Sequence, residues 1–230
     1  MITFINDYQQ RVDEISTYFT FLKFIDNIET HKRQPIQYID SNFLVDRNLQ
    51  KILRANSYLL LYNLVESTIR NSIQLLHDKI NDDEIMYDDL SERIQEIWLN
   101  TKLKLLPNSN NNTKIWLKNI FSDFKKCLEF TSVDNSINIS GNLDYDNIQL
   151  IINKFGFFGK INGSRKDISQ SLNKIKYERN KLAHGNKRFC ESGEIVTYNE
   201  LFEIKNNIIS FLNDYTSNVS KYITDKKYLK

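Results

Sequence analysis

The sequence predicts an all-α protein, a helical bundle of about six to eight helices. Two observations lead there. Only 6 of the 230 residues are Gly and 2 are Pro, too few for the many tight turns of a β architecture. Apolar residues recur every three or four positions along most of the chain, the period of a helix with one buried face. Together these favour helices joined by a few loops over a multi-strand sheet. The chain contains 12 Tyr and 14 Phe, so aromatic rings should carry much of the packing.

The elements follow in order. Phe4, Tyr8, Val12, Ile15, Phe19, Leu22 and Ile25 mark one amphipathic helix over about 2–29. Pro35 interrupts the pattern, and Asp40 or Ser41 is expected to cap a second helix reaching about residue 80. The middle of that helix is apolar nearly all round, so it should be the central buried helix. One of its stripes runs Leu59, Tyr62, Glu66, Ile69, Ile73, Leu76, which puts a carboxylate at a core-facing position. The acidic stretch 81–92 should be a loop feeding a short helix through Ile94, Ile97 and Trp98. After the loop at 107–112, Thr113 is expected to cap a helix through Trp116, Ile120, Phe124 and Leu128. Ser132–Asp146 is the least regular segment. Asp144 and Asp146 have the spacing of part of a calcium loop, but the later Gly and the terminal Glu are missing, so no metal site is assigned. A short helix over Ile148–Phe155 should close at Gly156, and Asp167 should start the next one. Asn186–Gly193 reads as a turn. Thr197 and Glu200 form a capping box for a long last helix through Leu201, Ile204, Ile208, Phe211, Tyr215, Val219 and Tyr222. No repeat or linker divides the chain, which reads as a single domain over 1–230.

Composition excludes several classes of function. A net charge of +2 gives no support for binding nucleic acid through bulk charge, so any such activity must rest on a local patch. Cys127 and Cys190 lie far apart without metal-ligand spacing, which argues against a structural zinc site and suggests no disulfide framework. Asp7 and Arg11 stand too early for a signal peptide, and the longest apolar run, Tyr58–Val65, is far too short to span a bilayer. These features predict a cytoplasmic protein with no membrane partner.

The chemistry concentrates in K-I-K-Y-E-R-N-K-L-A-H-G-N-K-R-F, Lys174–Phe189. For packing alone this is a helix end, with Ile168, Leu172, Ile175 and Leu182 at helical spacing and Gly185 as a left-handed stop. Arg179 falls in that stripe, where a charge is costly unless paired. The matching carboxylate is Glu66, so a Glu66–Arg179 pair is expected. His184 follows in the last turn, and on an ideal helix the two side chains stand roughly 140° apart. Such a pair is better completed by a second surface, such as a two-fold partner bringing another Arg and His. Lys174, Lys176, Lys181, Lys187 and Arg188 make the neighbourhood positive, and Tyr177 offers a ring on which a base can stack. Without more, a helix-terminal His beside Gly simply suits the negative helix end. His31 and His77 read as surface residues.

R-N-K-L-A-H (Arg179–His184) matches the R-x4-6-H motif of the HEPN superfamily, with Asn180 as the polar residue that commonly follows the Arg. Y-N-L-V-E-S-T-I-R (Tyr62–Arg70), I-S-G-N-L-D (Ile139–Asp144) and the T-Y-N-E-L ending extend the likeness, so the chain resembles the MAE-type bacterial HEPN proteins over most of its length. The resemblance implies an HEPN-like bundle and a metal-independent endoribonuclease working as a homodimer on RNA. It also implies a toxin or anti-phage defence effector, with an antitoxin or defence-system partner protein. Arg179 and His184 would be catalytic, and Asn180 and Glu66 auxiliary. Tyr177, Lys181, Lys187 and Arg188 would hold RNA. In toxins of this superfamily controlled by adenylylation a Tyr follows closely after the His; here Gly185 and Asn186 follow, which argues against that control. The alternatives are a non-catalytic HEPN module that binds RNA or nucleotide or scaffolds a partner, and a plain helical interaction domain.

Overall fold

A computed structural model describes residues 1–28, 36–38, 41–43, 45–106, 110–124, 126–127, 129–130, 133–136 and 142–230. Apart from one small hairpin, its regular structure is helical, as the periodicity requires. Helix α1 (Ile2–Asp26) buries all seven of the predicted residues, Phe4 through Ile25. Strands β1 (Ile36–Tyr38) and β2 (Ser41–Phe43) pair antiparallel, with Ile36 opposite Phe43. Ser41 therefore lies in a strand rather than at the start of the next helix, while Asp40 is outside the described residues, as is His31. The cap of α2 (Arg47–Asp82) is Asp46, whose side chain accepts from the Leu49 backbone N–H at 2.8 Å.

At 36 residues, α2 is the axis of the molecule, roughly 54 Å of helix at 1.5 Å per residue. It is buried on nearly every side and packs against α1, α7, α8 and α9. Tyr58, Leu61, Tyr62, Val65, Ile69, Ile73 and Leu76 along it are fully buried. So is His77, which corrects its expected surface position. Its ring stacks on Phe130 at 4.3 Å, and its Nε2 lies 3.2 Å from Ser136 Oγ on the short α5 (Val133–Ser136). The polar neighbours in sequence hid a position that the returning chain covers.

A 3-10 turn at Tyr87–Asp89 leads into α3 (Glu92–Leu103). Trp98 of α3 and Tyr87 pack on Phe124, with ring centroids 5.5 and 4.7 Å away. Helix α4 (Asn110–Asp123) includes Thr113 inside its first turn, so Thr113 does not cap it; Leu128 is not described. Asp144 caps α6 (Tyr145–Phe155) by accepting from Asn147 N–H at 2.9 Å, and α6 closes at Gly156 as expected. Helix α7 (Arg165–Ala183) starts two residues before Asp167, capped by Ser164. The segment expected to be a turn after Gly185 contains a further helix, α8 (Phe189–Glu194). It is short and has no apolar period of its own. It forms because it lies directly on α2: a Cβ added at Gly193 would fall 1.8 Å from the Lys51 carbonyl oxygen, so only glycine allows that approach.

The last helix, α9 (Tyr198–Thr224), starts at the predicted Thr197–Glu200 capping box. Thr197 Oγ1 accepts from Glu200 N–H at 3.3 Å, and a Glu200 carboxylate oxygen accepts from Thr197 N–H at 2.7 Å. One core joins α1, α2, α3, α6, α7 and α9. Among the described residues no helix is long and apolar enough to cross a membrane.

Candidate active site

The end of α7 builds the site. Ile168, Ser171, Leu172, Ile175, Glu178 and Leu182 face the core. Gly185 has φ +68°, its N–H bonds the Leu182 carbonyl at 3.2 Å, and Asn186 N–H bonds the Lys181 carbonyl at 2.9 Å. These are the two hydrogen bonds of a Schellman stop. They leave His184 as the C-cap residue, exposed, at the negative end of a 19-residue helix.

Arg179 sits on the flank of the buried stripe and is only partly covered, which corrects the core position expected for it. The buried position one turn beyond Ile175 is 178, because three residues rather than four carry the stripe forward there. Glu66 is likewise on a flank of α2. The two do meet, as expected: Arg179 Nη2 lies 3.8 Å from Glu66 Oε2, with side chains 24% and 25% exposed. That distance makes an ion pair without a hydrogen bond. A second contact is the Tyr62 ring, its centroid 4.5 Å from the guanidinium carbon. On its other side Arg179 Nη1 donates to Asn180 Oδ1 at 3.0 Å. Burial pushes the Tyr62 hydroxyl up, and that oxygen accepts from Leu143 N–H at 3.2 Å, tying the loop before α6 to α2.

An open groove of about 420 Å³ runs along α7 beside α6, lined by Asp144, Lys176, Tyr177, Asn180, Lys181 and His184 among others. Arg179 itself is not in its wall; Asn180 connects the two. Asp144 closes one side, holding Lys176 Nζ at 2.7 Å. Burial pushes the Asp144 carboxyl up, but its bonds from Lys176 and Asn147 outweigh this and hold it below the usual range. Tyr177 is 57% exposed, and Lys181 Nζ lies 5.6 Å from its ring centre.

The predicted cationic neighbourhood is largely neutralised. Lys174 and Lys187 both bond Glu178, at 3.2 and 2.9 Å. Arg188 pairs with Glu191 at 2.6 Å and is the N-cap residue of α8. Lys176 and Lys181 are the cations that line the groove. Glu178 itself went unnoticed in the sequence. It is fully buried and accepts from Ser192 Oγ at 2.6 Å. Burial raises its carboxyl, but the bonds from Ser192, Lys187 and Lys174 prevail and hold it below the ordinary value. The signal that could have found it was the alternative three-residue step from Ile175.

Among the described residues no group of three or more His, Cys, Asp and Glu is placed to hold a metal ion. No curated protein and no solved structure gives a match to this chain. The family model of the MAE_28990-like HEPN proteins matches residues 3–228, nearly the whole chain, a span that includes Arg179–His184 and the bundle around it. The protein belongs to the MAE_28990-like HEPN family.

Proposed function

We propose that this protein is an endoribonuclease that cuts RNA without a metal ion. The observation that carries the reading is the link from Arg179 through Asn180 to the groove that His184 lines. In RNA the nucleophile is already present: the 2′-hydroxyl oxygen attacks the adjacent phosphorus and the bond to O5′ breaks. Imidazole is the side chain suited to take the 2′ proton and return one to O5′ close to neutral pH, and His184 is exposed to do so. Arg179 holds non-bridging phosphate oxygens and offsets their charge in the transition state. Tyr62, Glu66 and Asn180 keep the guanidinium oriented, and Tyr177 and Lys181 receive the strand.

The working unit in this reading is a homodimer. Arg179 and His184 lie on different flanks of α7, and a two-fold copy brings a second such pair to an open groove. A role in growth control or anti-phage defence, with a partner protein that restrains the activity, goes with the family.

Purified protein incubated with end-labelled RNA in EDTA tests this. The expected products carry 2′,3′-cyclic phosphate and 5′-hydroxyl ends, and DNA of the same sequence stays whole. RNA that is bound but left intact would replace this reading with a non-catalytic HEPN module.

A further inference from the structure

Glu178 is the only fully buried carboxylate among the described residues, and the mechanism above does not use it. It stands immediately before Arg179 in α7. Its carboxylate accepts from Ser192 Oγ at 2.6 Å, from Lys187 Nζ at 2.9 and 3.2 Å, and from Lys174 Nζ at 3.2 Å. Lys187 lies three residues beyond His184, and Ser192 belongs to α8, which Gly193 seats against the α2 backbone. The chain therefore leaves α7 at His184, turns through Gly185, and comes back to bind the helix it has just left. Residues 179–186, which include Arg179, Asn180, Lys181 and His184, are held between two points on one buried anion. A buried charge keeps its place only while its partners do, so this closure acts as a unit.

We propose that Glu178 is a positioning residue of the site: through Lys187 and Ser192 it fixes the turn that presents His184 to the groove. It touches no substrate. The proposal rests on the ribonuclease reading for its effect on rate, but not for its effect on His184.

Glu178→Gln keeps the side-chain shape and can still bond Ser192, while Lys187 loses its anion. Three histidines in the chain make the imidazole NMR signals assignable. The His184 resonances are expected to shift and broaden, and kcat for RNA to fall about tenfold or more with KM within about twofold. The double variant Glu178→Gln/Lys187→Met, which leaves neither charge alone, is expected to recover part of both. A lower Tm with unchanged His184 signals and unchanged kcat would overturn the proposal. If Glu178→Gln does not fold, Ser192→Ala and Lys187→Met take its place: displaced His184 signals support the proposal and unchanged ones overturn it. If the wild-type protein cuts no RNA, the ribonuclease reading fails separately. The His184 signals then still decide the positioning role in the same way.

Discussion

His184 and His77 carry the same side chain at opposite extremes of solvent access. His184 stands exposed at the end of α7, beside the groove. His77 is sealed between Phe130 and Ser136, and burial pulls its pKa down to about 4. One imidazole stands in solvent, and the other is kept neutral by the loss of hydration. Surroundings, not residue type, separate the two, and in the ribonuclease reading they divide chemistry from folding. Substitutions at the two positions should therefore separate cleanly, one affecting rate and the other stability.

The largest stability effect should come at His77. His77→Ala removes a stacked ring and leaves Ser136 without that partner, at a cost of about 2–4 kcal/mol in denaturant unfolding. RNA cleavage by the folded fraction should not change. The same residue gives a pH test. Because its folded pKa lies below its unfolded value of 6.5, its contribution is complete above that value and declines as pH falls toward about 4, by roughly 3 kcal/mol in all. Unfolding of His77→Leu across that interval should lack this slope; an identical slope in wild type and variant would break the contrast. Glu178 acts in the same direction but lower, since its carboxyl is held below the ordinary carboxylate range.

Gly185→Ala comes next. Nothing within 4 Å of the added Cβ obstructs it, so the cost is the left-handed backbone alone, about 1 kcal/mol in thermal unfolding. Glu66→Gln should be the mildest. Its pair with Arg179 is long and partly exposed, while the Tyr62 contact remains, so kcat/KM is expected to fall by less than about tenfold.

Strong local periods made much of the fold legible in the sequence. The seven apolar positions of α1, the Thr197–Glu200 box and the glycine stop after His184 all stand where the spacing put them. The Glu66–Arg179 contact was legible too, though as a flank pair and not a core one. Features set by distant chain were not. His77 is buried by Phe130 and Ser136, more than fifty residues away, in a segment with little pattern. Helix α8 depends on the α2 backbone beneath Gly193, and Glu178 is buried by the return of Lys187 and Ser192. The basic run around the motif promised more free charge than remains, because carboxylates claim Lys174, Lys176, Lys187 and Arg188.

RNA cleavage in EDTA by wild type, Arg179→Ala and His184→Ala, each first shown to unfold like wild type, tests the central claim most directly. Both variants are expected to lose activity by about a thousandfold or more, since in the proposed reading Arg179 steadies the reacting phosphate and His184 moves the protons. Cleavage at the wild-type rate by either variant would contradict it.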